Sequence, residues 1–139
     1  KKTVLVGGCF DVFHFGHLQF LNKAKEQGDY LIVVLEPDEV IRSKNRIPVH
    51  NQQQRAQILD AIEIVDLVIK IPDFKSDEDY NKLTAEIKPK IIAITEGDKQ
   101  TENKKKQVES GGGELRVVTQ FIKDFSSTKI TNHASISRP

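Results

Sequence analysis

Two histidines, His14 and His17, stand three residues apart with Gly16 between them in the stretch VGGCFDVFHFGHLQFL, Val6 to Leu21. At i and i+3 of a first helical turn, both rings point to roughly the same side. They can then reach one anionic group, and Gly16 lets a ligand approach the backbone closely. Gly7 and Gly8 close a β-rich run just before, and a helix is expected to begin near Gly16 or His17. Free backbone N–H groups and the positive end of a helix macrodipole would favour phosphate there. Taken singly, each histidine reads as well as a surface or core side chain with local hydrogen bonds. The stretch as a whole favours an anion site. Zinc fits less well, because no carboxylate or thiol falls at ligand spacing and Cys9 lies five residues before His14. The glycines also lack the third member of a dinucleotide-binding fingerprint.

The elements that must position this pair are visible as runs. Apolar, β-rich segments recur as TVLV (Thr3–Val6), YLIVVL (Tyr30–Leu35), LVIKI (Leu67–Ile71), IIAIT (Ile91–Thr95) and LRVV (Leu115–Val118). Most are nearly continuous rather than alternating, as in strands covered on both faces. Leu18, Leu21 and Ala24 carry helical spacing, as do Ala56, Leu59 and Ile62; helices are also predicted over Tyr80–Ile87, Glu102–Ser110 and, briefly, after Ser127. The β-α alternation predicts an α/β, Rossmann-like doubly wound sandwich of about five parallel strands flanked by helices. Ligands of such sheets sit beyond the carboxyl ends of the strands, where the histidine pair falls. Gly28-Asp29 and Gly111-Gly112-Gly113 read as left-handed helix caps, the latter ahead of a strand rather than a phosphate-binding helix. Lys104-Lys105-Lys106 reads as a solvated helix face.

Composition bounds the rest. The 139 residues suit one domain spanning 1–139, with 37% hydrophobic and 29% charged residues. A formal net charge of +1 gives no general attraction to nucleic acid or membrane, so anion binding must be local. The single cysteine, Cys9, excludes an internal disulfide framework and fits the cytoplasm. No apolar run approaches the roughly 20 residues of a membrane span, and no signal-peptide pattern opens the chain. Because Lys1 is not methionine, the chain is expected to begin just inside its gene product.

The stretch GGCFDVFHFGHLQFL resembles the signature of the nucleotidylyltransferase superfamily, with its histidine-any-glycine-histidine motif. That superfamily includes cytidylyltransferases for glycerol phosphate and phosphocholine, pantetheine phosphate adenylyltransferases, archaeal-type FAD synthetases and heptose phosphate adenylyltransferases. The resemblance implies a nucleotide site from Gly8, Cys9, Phe10, His14, Gly16 and His17, with Asp11 toward the acceptor. RSKNRIPV resembles a mobile basic loop after the second strand; it implies Lys44 as a catalytic cation beside His14 and His17, with Arg46 assisting at the acceptor. QQQRAQILDAIEIVD resembles the next helix, where Arg55 would face the acceptor phosphate, while Asp66 reads as structural. IIAITEGD implies that Asp98 meets ribose or base; the residues alone equally read Asp98 as a cap of the following helix. FSSTKI implies Ser127 and Thr128 on the nucleotide phosphates, with Ser126 as an N-cap.

The implied reaction is nucleotidyl transfer. An acceptor phosphate attacks the α-phosphorus of a nucleoside triphosphate, and pyrophosphate leaves without a covalent enzyme intermediate. The protein need only align the groups and stabilise developing charge. No protein ligand for a metal is expected; Mg²⁺ would ride on the phosphates of ATP, or of CTP. ATP is favoured, because the cytidylyltransferases carry an arginine five residues before the first Ser/Thr of the late motif and Phe121 stands there. SGGGELRVVTQF is similar to the heptose adenylyltransferases, which makes a sugar phosphate such as heptose 1-phosphate the leading acceptor. Glu96 departs from them, standing where a second glycine is usual, and the fused sugar-kinase domain is lacking. FAD synthetases share the spacing of Lys44 to Pro48, although their late cysteines are missing. Alternatives are a glycerol 3-phosphate type cytidylyltransferase, an FAD synthetase-like enzyme, and, in another class, a non-catalytic nucleotide-sensing module. Family members commonly dimerise, so a homodimer is a further expectation.

Overall fold

The five apolar runs become five strands of one sheet: β1 Thr3–Gly8, β2 Tyr30–Leu35, β3 Leu67–Lys70, β4 Ile91–Thr95 and β5 Glu114–Thr119. The computed structural model describes residues 1–120. The late FSSTKI stretch with Ser126, Ser127 and Thr128, the helix expected after it, and the tail lie outside the described residues. All strands pair in parallel, in the order β3-β2-β1-β4-β5. The chain therefore winds outward from β1 to β3, then returns to the far side of β1 for β4 and β5. That reversal opens a crevice at the carboxyl ends of β1 and β4, where parallel sheets take ligands.

The near-continuous strands do alternate, but between two cores. Val4, Val6, Leu31, Val33, Leu35, Ile91 and Ala93 face α1 (Phe15–Lys25) and α3 (Gln52–Asp60), meeting Leu21, Ala24, Ala56 and Leu59. Leu5, Ile32, Val34, Ile92 and Ile94 face α4 (Asp77–Ile87) and α5 (Thr101–Ser110), meeting Val108 and the partly buried Tyr80, Leu83 and Ile87. Each of these large apolar side chains contributes about 1.5–3 kcal/mol on full burial. No described helix is long and apolar enough to cross a membrane.

The structure corrects several local expectations. A helix not foreseen, α2, spans Asp38–Ser43, so Arg42 and Ser43 leave the basic loop and Lys44 caps that helix at its C-terminus. Ile62 lies beyond the end of α3. Gly28 is not a left-handed cap; α1 ends at Glu26 in the right-handed region. What Gly28 provides is close approach, since a Cβ there would lie 2.4 Å from the Lys2 carbonyl oxygen. In the triple glycine only Gly112 is left-handed, at φ +84, whereas Gly113 is pressed against the Lys90 and Pro89 carbonyls.

Candidate active site

The loop from Cys9 to His14 is held in an uncommon backbone shape. Phe10 and Val12 both have positive φ, 49 and 53. For a β-branched residue such as Val12 that conformation costs about 1–2 kcal/mol. Long-range contacts hold it in place. The Phe10 ring is buried and meets the His17 ring edge-on at 5.3 Å. The Asp11 carboxylate, between the two strained residues, accepts the backbone N–H groups of Val49 at 2.8 Å and His50 at 3.0 Å. Asp11 thus ties this loop to the segment after α2.

The α1 helix begins at Phe15, one residue before Gly16, with His14 as its N-cap and His17 as the third helical residue. Their side chains make a reciprocal capping box. His14 Nδ1 accepts from the Gly16 N–H at 3.0 Å, and His17 Nδ1 accepts from the His14 N–H at 3.2 Å. The rings stack with centroids 3.8 Å apart. With Nδ1 used as an acceptor, each neutral ring carries its proton on Nε2. Burial pushes both imidazoles below the ordinary histidine range, and for His17 burial and the neighbouring His14 bring it to about 3. The pair therefore offers two N–H dipoles rather than two cations. His14 Nε2 is buried with no hydrogen-bond partner among the described residues. Such an orphan donor at a helix N-terminus suits an anionic oxygen. The Gly16 N–H, by contrast, is taken by the cap.

This neutrality predicts acid sensitivity. Between pH 6.5 and 3 the unfolded chain holds a proton on His17 that the folded protein refuses, so stability rises with pH across that window. On the order of 1–2 kcal/mol should be lost between pH 6.5 and 5. Urea denaturation of wild type and His17→Gln at both values checks it, the variant isolating His17 from Glu36, whose raised pKa acts in the opposite sense. Equal slopes in the two proteins would refute it.

The remaining expected residues divide. Lys44 is exposed at the end of α2; burial pushes the Cys9 thiol up, and the charges of Lys44 and Arg46 only partly oppose that rise. Both cations thus stand beside the strained loop. Arg55, expected toward the acceptor phosphate, lies inside the protein. It is fully buried, donating from Nε to the His50 carbonyl at 3.1 Å and from Nη1 to the Cys9 and Glu36 carbonyls at 2.8 Å each. Its Nη2 pairs with Asp38 at 2.6 Å. Arg55 therefore staples the exits of β1 and β2 to α2 and α3. Asp98 lies between β4 and α5, where it accepts from the Gln100 N–H at 2.7 Å and pairs with Lys104 at 2.7 Å. Asp98 is not the helix cap that the residues alone suggested, since Gln100 is the N-cap of α5, and Lys104 is not a merely solvated lysine. Asp66, as read from sequence, is structural: it accepts from the Leu31 N–H at 2.7 Å and pairs with Lys25 at 2.6 Å.

Two features were not foreseen. Gly7, although on the central strand, is exposed, and a Cβ placed there would meet nothing nearer than the Val34 carbonyl oxygen at 3.8 Å. The crevice floor is therefore bare backbone. Beside it, Glu36 follows the last residue of β2 and takes the Tyr80 hydroxyl on both carboxylate oxygens, at 2.9 and 3.1 Å. The only sequence signal for Glu36 was a carboxylate directly ending a continuous apolar run; Tyr80 gave none.

Residues 5–135 match the family pattern described as cytidylyltransferase-like. The chain is 38% identical over 120 residues to the FAD synthase of Pyrococcus horikoshii, spanning 85% of this chain and 79% of that protein. It is 36% identical over 135 residues to the bifunctional protein HldE of Psychromonas ingrahamii, spanning 94% of this chain but only 27% of that protein. The lipopolysaccharide core biosynthesis protein of Thermoplasma volcanium superposes with a TM-score of 0.72 at 25% identity, covering 86% of this chain and 98% of the other.

Proposed function

We propose, for a chain that belongs to the cytidylyltransferase-like family of nucleotidyltransferases, that the group transferred is adenylyl and that the acceptor is a small hydroxylated phosphate. The reading rests on the stacked histidine pair, whose caps fix both Nδ1 atoms and leave Nε2 donors for phosphate oxygens. An acceptor phosphate oxygen bonds to the α-phosphorus of ATP as the bond to the β-phosphate bridging oxygen breaks, and pyrophosphate departs. An ionised phosphate needs no general base. His17 donates to the α-phosphoryl oxygens as charge builds, His14 steers the triphosphate, and Lys44 and Arg46 supply the positive charge that the neutral rings do not. The α1 N-terminus adds its dipole. In this reading Gly8 and Cys9 line the triphosphate by backbone, Gly16 admits it by having no side chain, Asp98 exchanges its lysine for ribose, and Ser127 and Thr128 act at the phosphates. The donor set suits phosphate oxygens rather than a metal, so Mg²⁺ would be held by the triphosphate itself and would supply charge screening there.

Heptose 1-phosphate is the leading acceptor. FMN is the second reading, favoured by the extent of the match to an FAD synthase; FAD is the adenylylated form of FMN, so ATP is the donor in either case. Pyrophosphate release with ATP or CTP against heptose 1-phosphate, FMN and glycerol 3-phosphate tests these readings. Nucleotide binding without turnover on any acceptor would favour a sensing module instead. Gly7→Val serves as a control on place: the added side chain should fill the crevice floor, lowering turnover at least about tenfold while the melting temperature moves by only a few degrees. Full turnover in that variant would put the site elsewhere.

A further inference from the structure

Glu36 and Gly7 share the face of the sheet that α4 and α5 cover, since each continues the alternation of Ile32, Val34 and Leu5 toward that core. They are also adjacent along the rim: the Glu36 N–H donates to the Gly8 carbonyl at 3.0 Å, extending the pairing of Gly7 with Val34 and Gly8 with Leu35. Glu36 lies on the β2 side of β1, away from the β4 exit carrying Asp98. Its carboxylate is half-buried, yet among the described residues its side chain receives only the Tyr80 hydroxyl, shared between both oxygens. A carboxylate has about four acceptor positions, so most of its capacity is unused. Among the described residues no cation lies within ion-pair distance; Lys44 and Lys104 act on it only through space, and Lys104 is committed to Asp98. Tyr80 is itself braced by Phe74, the rings meeting edge-on at 4.9 Å. The carboxylate is thus held in one direction by a rigid aromatic donor.

We propose that the Glu36–Tyr80 pair is the acceptor-specificity element, accepting hydrogen bonds from hydroxyl groups on the carbon chain that carries the acceptor phosphate. The inference rests on the nucleotidyl-transfer reading above and names the acceptor chemistry for that site. A fixed carboxylate repels phosphate, so it belongs against the uncharged part of the acceptor while Lys44 and Arg46 take the anionic end. The same two cations disfavour an ammonium-bearing acceptor. A donor-rich polyol is left as the chemistry that fits. An analogue lacking the hydroxyl would leave the carboxylate desolvated and unsatisfied, which is how a polar site rejects its near-isosteres.

The test compares wild type, Glu36→Gln and Tyr80→Phe, with ATP held saturating. The acceptors are heptose 1-phosphate, FMN and glycerol 3-phosphate, each set against the same skeleton lacking one hydroxyl, together with phosphoethanolamine. Wild type should prefer the hydroxylated member of its pair at least about tenfold in kcat/KM. In Glu36→Gln that preference should shrink about tenfold through acceptor KM, with the KM for ATP unchanged; Tyr80→Phe should move the same way by less. Glutamine is isosteric, and the melting temperature reports any general loosening. An intact hydroxyl preference in Glu36→Gln, an equal rise in the KM for ATP, or a wild-type preference for phosphoethanolamine overturns the inference while leaving nucleotidyl transfer standing. No transfer by wild type to any acceptor overturns the parent reading and this one with it.

Discussion

His17→Ala is expected to lower turnover by about a hundredfold or more. A preorganised donor aimed at charge that appears only in the transition state is worth roughly 3–4 kcal/mol. The His17 ring is well prepared for that task. Phe10 and Phe13 flank it at 5.3 and 5.4 Å, His14 stacks on it, and the His14 N–H fixes its Nδ1. Ring orientation and proton position are therefore settled before substrate arrives. Truncation also removes half of the capping box, at about 1 kcal/mol of stability. His17→Asn separates the two effects, because its short amide can still accept at the cap but cannot extend to the Nε2 position. Pyrophosphate release by both variants, with their melting temperatures, is the measurement. Near-normal turnover in either would remove His17 from the chemistry. Since the ring is neutral well above pH 3, turnover should not decline as pH rises through 6.5, as it would for an imidazolium.

Arg55→Ala should be the most destabilising single change at the site, at roughly 3–5 kcal/mol. The guanidinium is fully buried and satisfies three carbonyls and the Asp38 carboxylate together. Its removal leaves Asp38 without its partner, along with unpaired carbonyls at Cys9 and Glu36, the residues that follow β1 and β2. A drop of about 10–17 °C in melting temperature follows from the usual scaling for a chain of this size. Lysine cannot reproduce the fork, so Arg55→Lys should recover less than half the loss. Thermal denaturation of the two variants decides. A variant as stable as wild type but defective only in acceptor KM would restore the acceptor-facing role that the sequence suggested.

Arg55 also shows where sequence reading stops. Its position in the pattern was plain, but whether its side chain reached toward an acceptor or inward depended on how α3 seats against the β2 exit. Gln52 helps set that seating by donating to the Leu35 and Ile71 carbonyls, across a junction no local pattern describes. Asp11 shares the difficulty: its partners, Val49 and His50, lie 38 and 39 residues away. The α2 helix was missed because DEVIRS is a single short turn-and-a-half, too brief for a 3.6-residue period to register.

By itself the sequence determined the order of elements, the parallel sheet and the histidine-bearing first turn. These follow from hydrophobic periodicity, glycine placement and local spacing, all of which are written within a few residues of where they act. Only the tertiary structure decided that the imidazoles are neutral caps, that Arg55 is a buried staple, and that Glu36 meets Tyr80 from 44 residues away. The protonation of a ring, the direction of a guanidinium and the partners of a carboxylate are set by desolvation and by groups brought in from distant elements. Those energies do not exist until the sheet has closed its two cores.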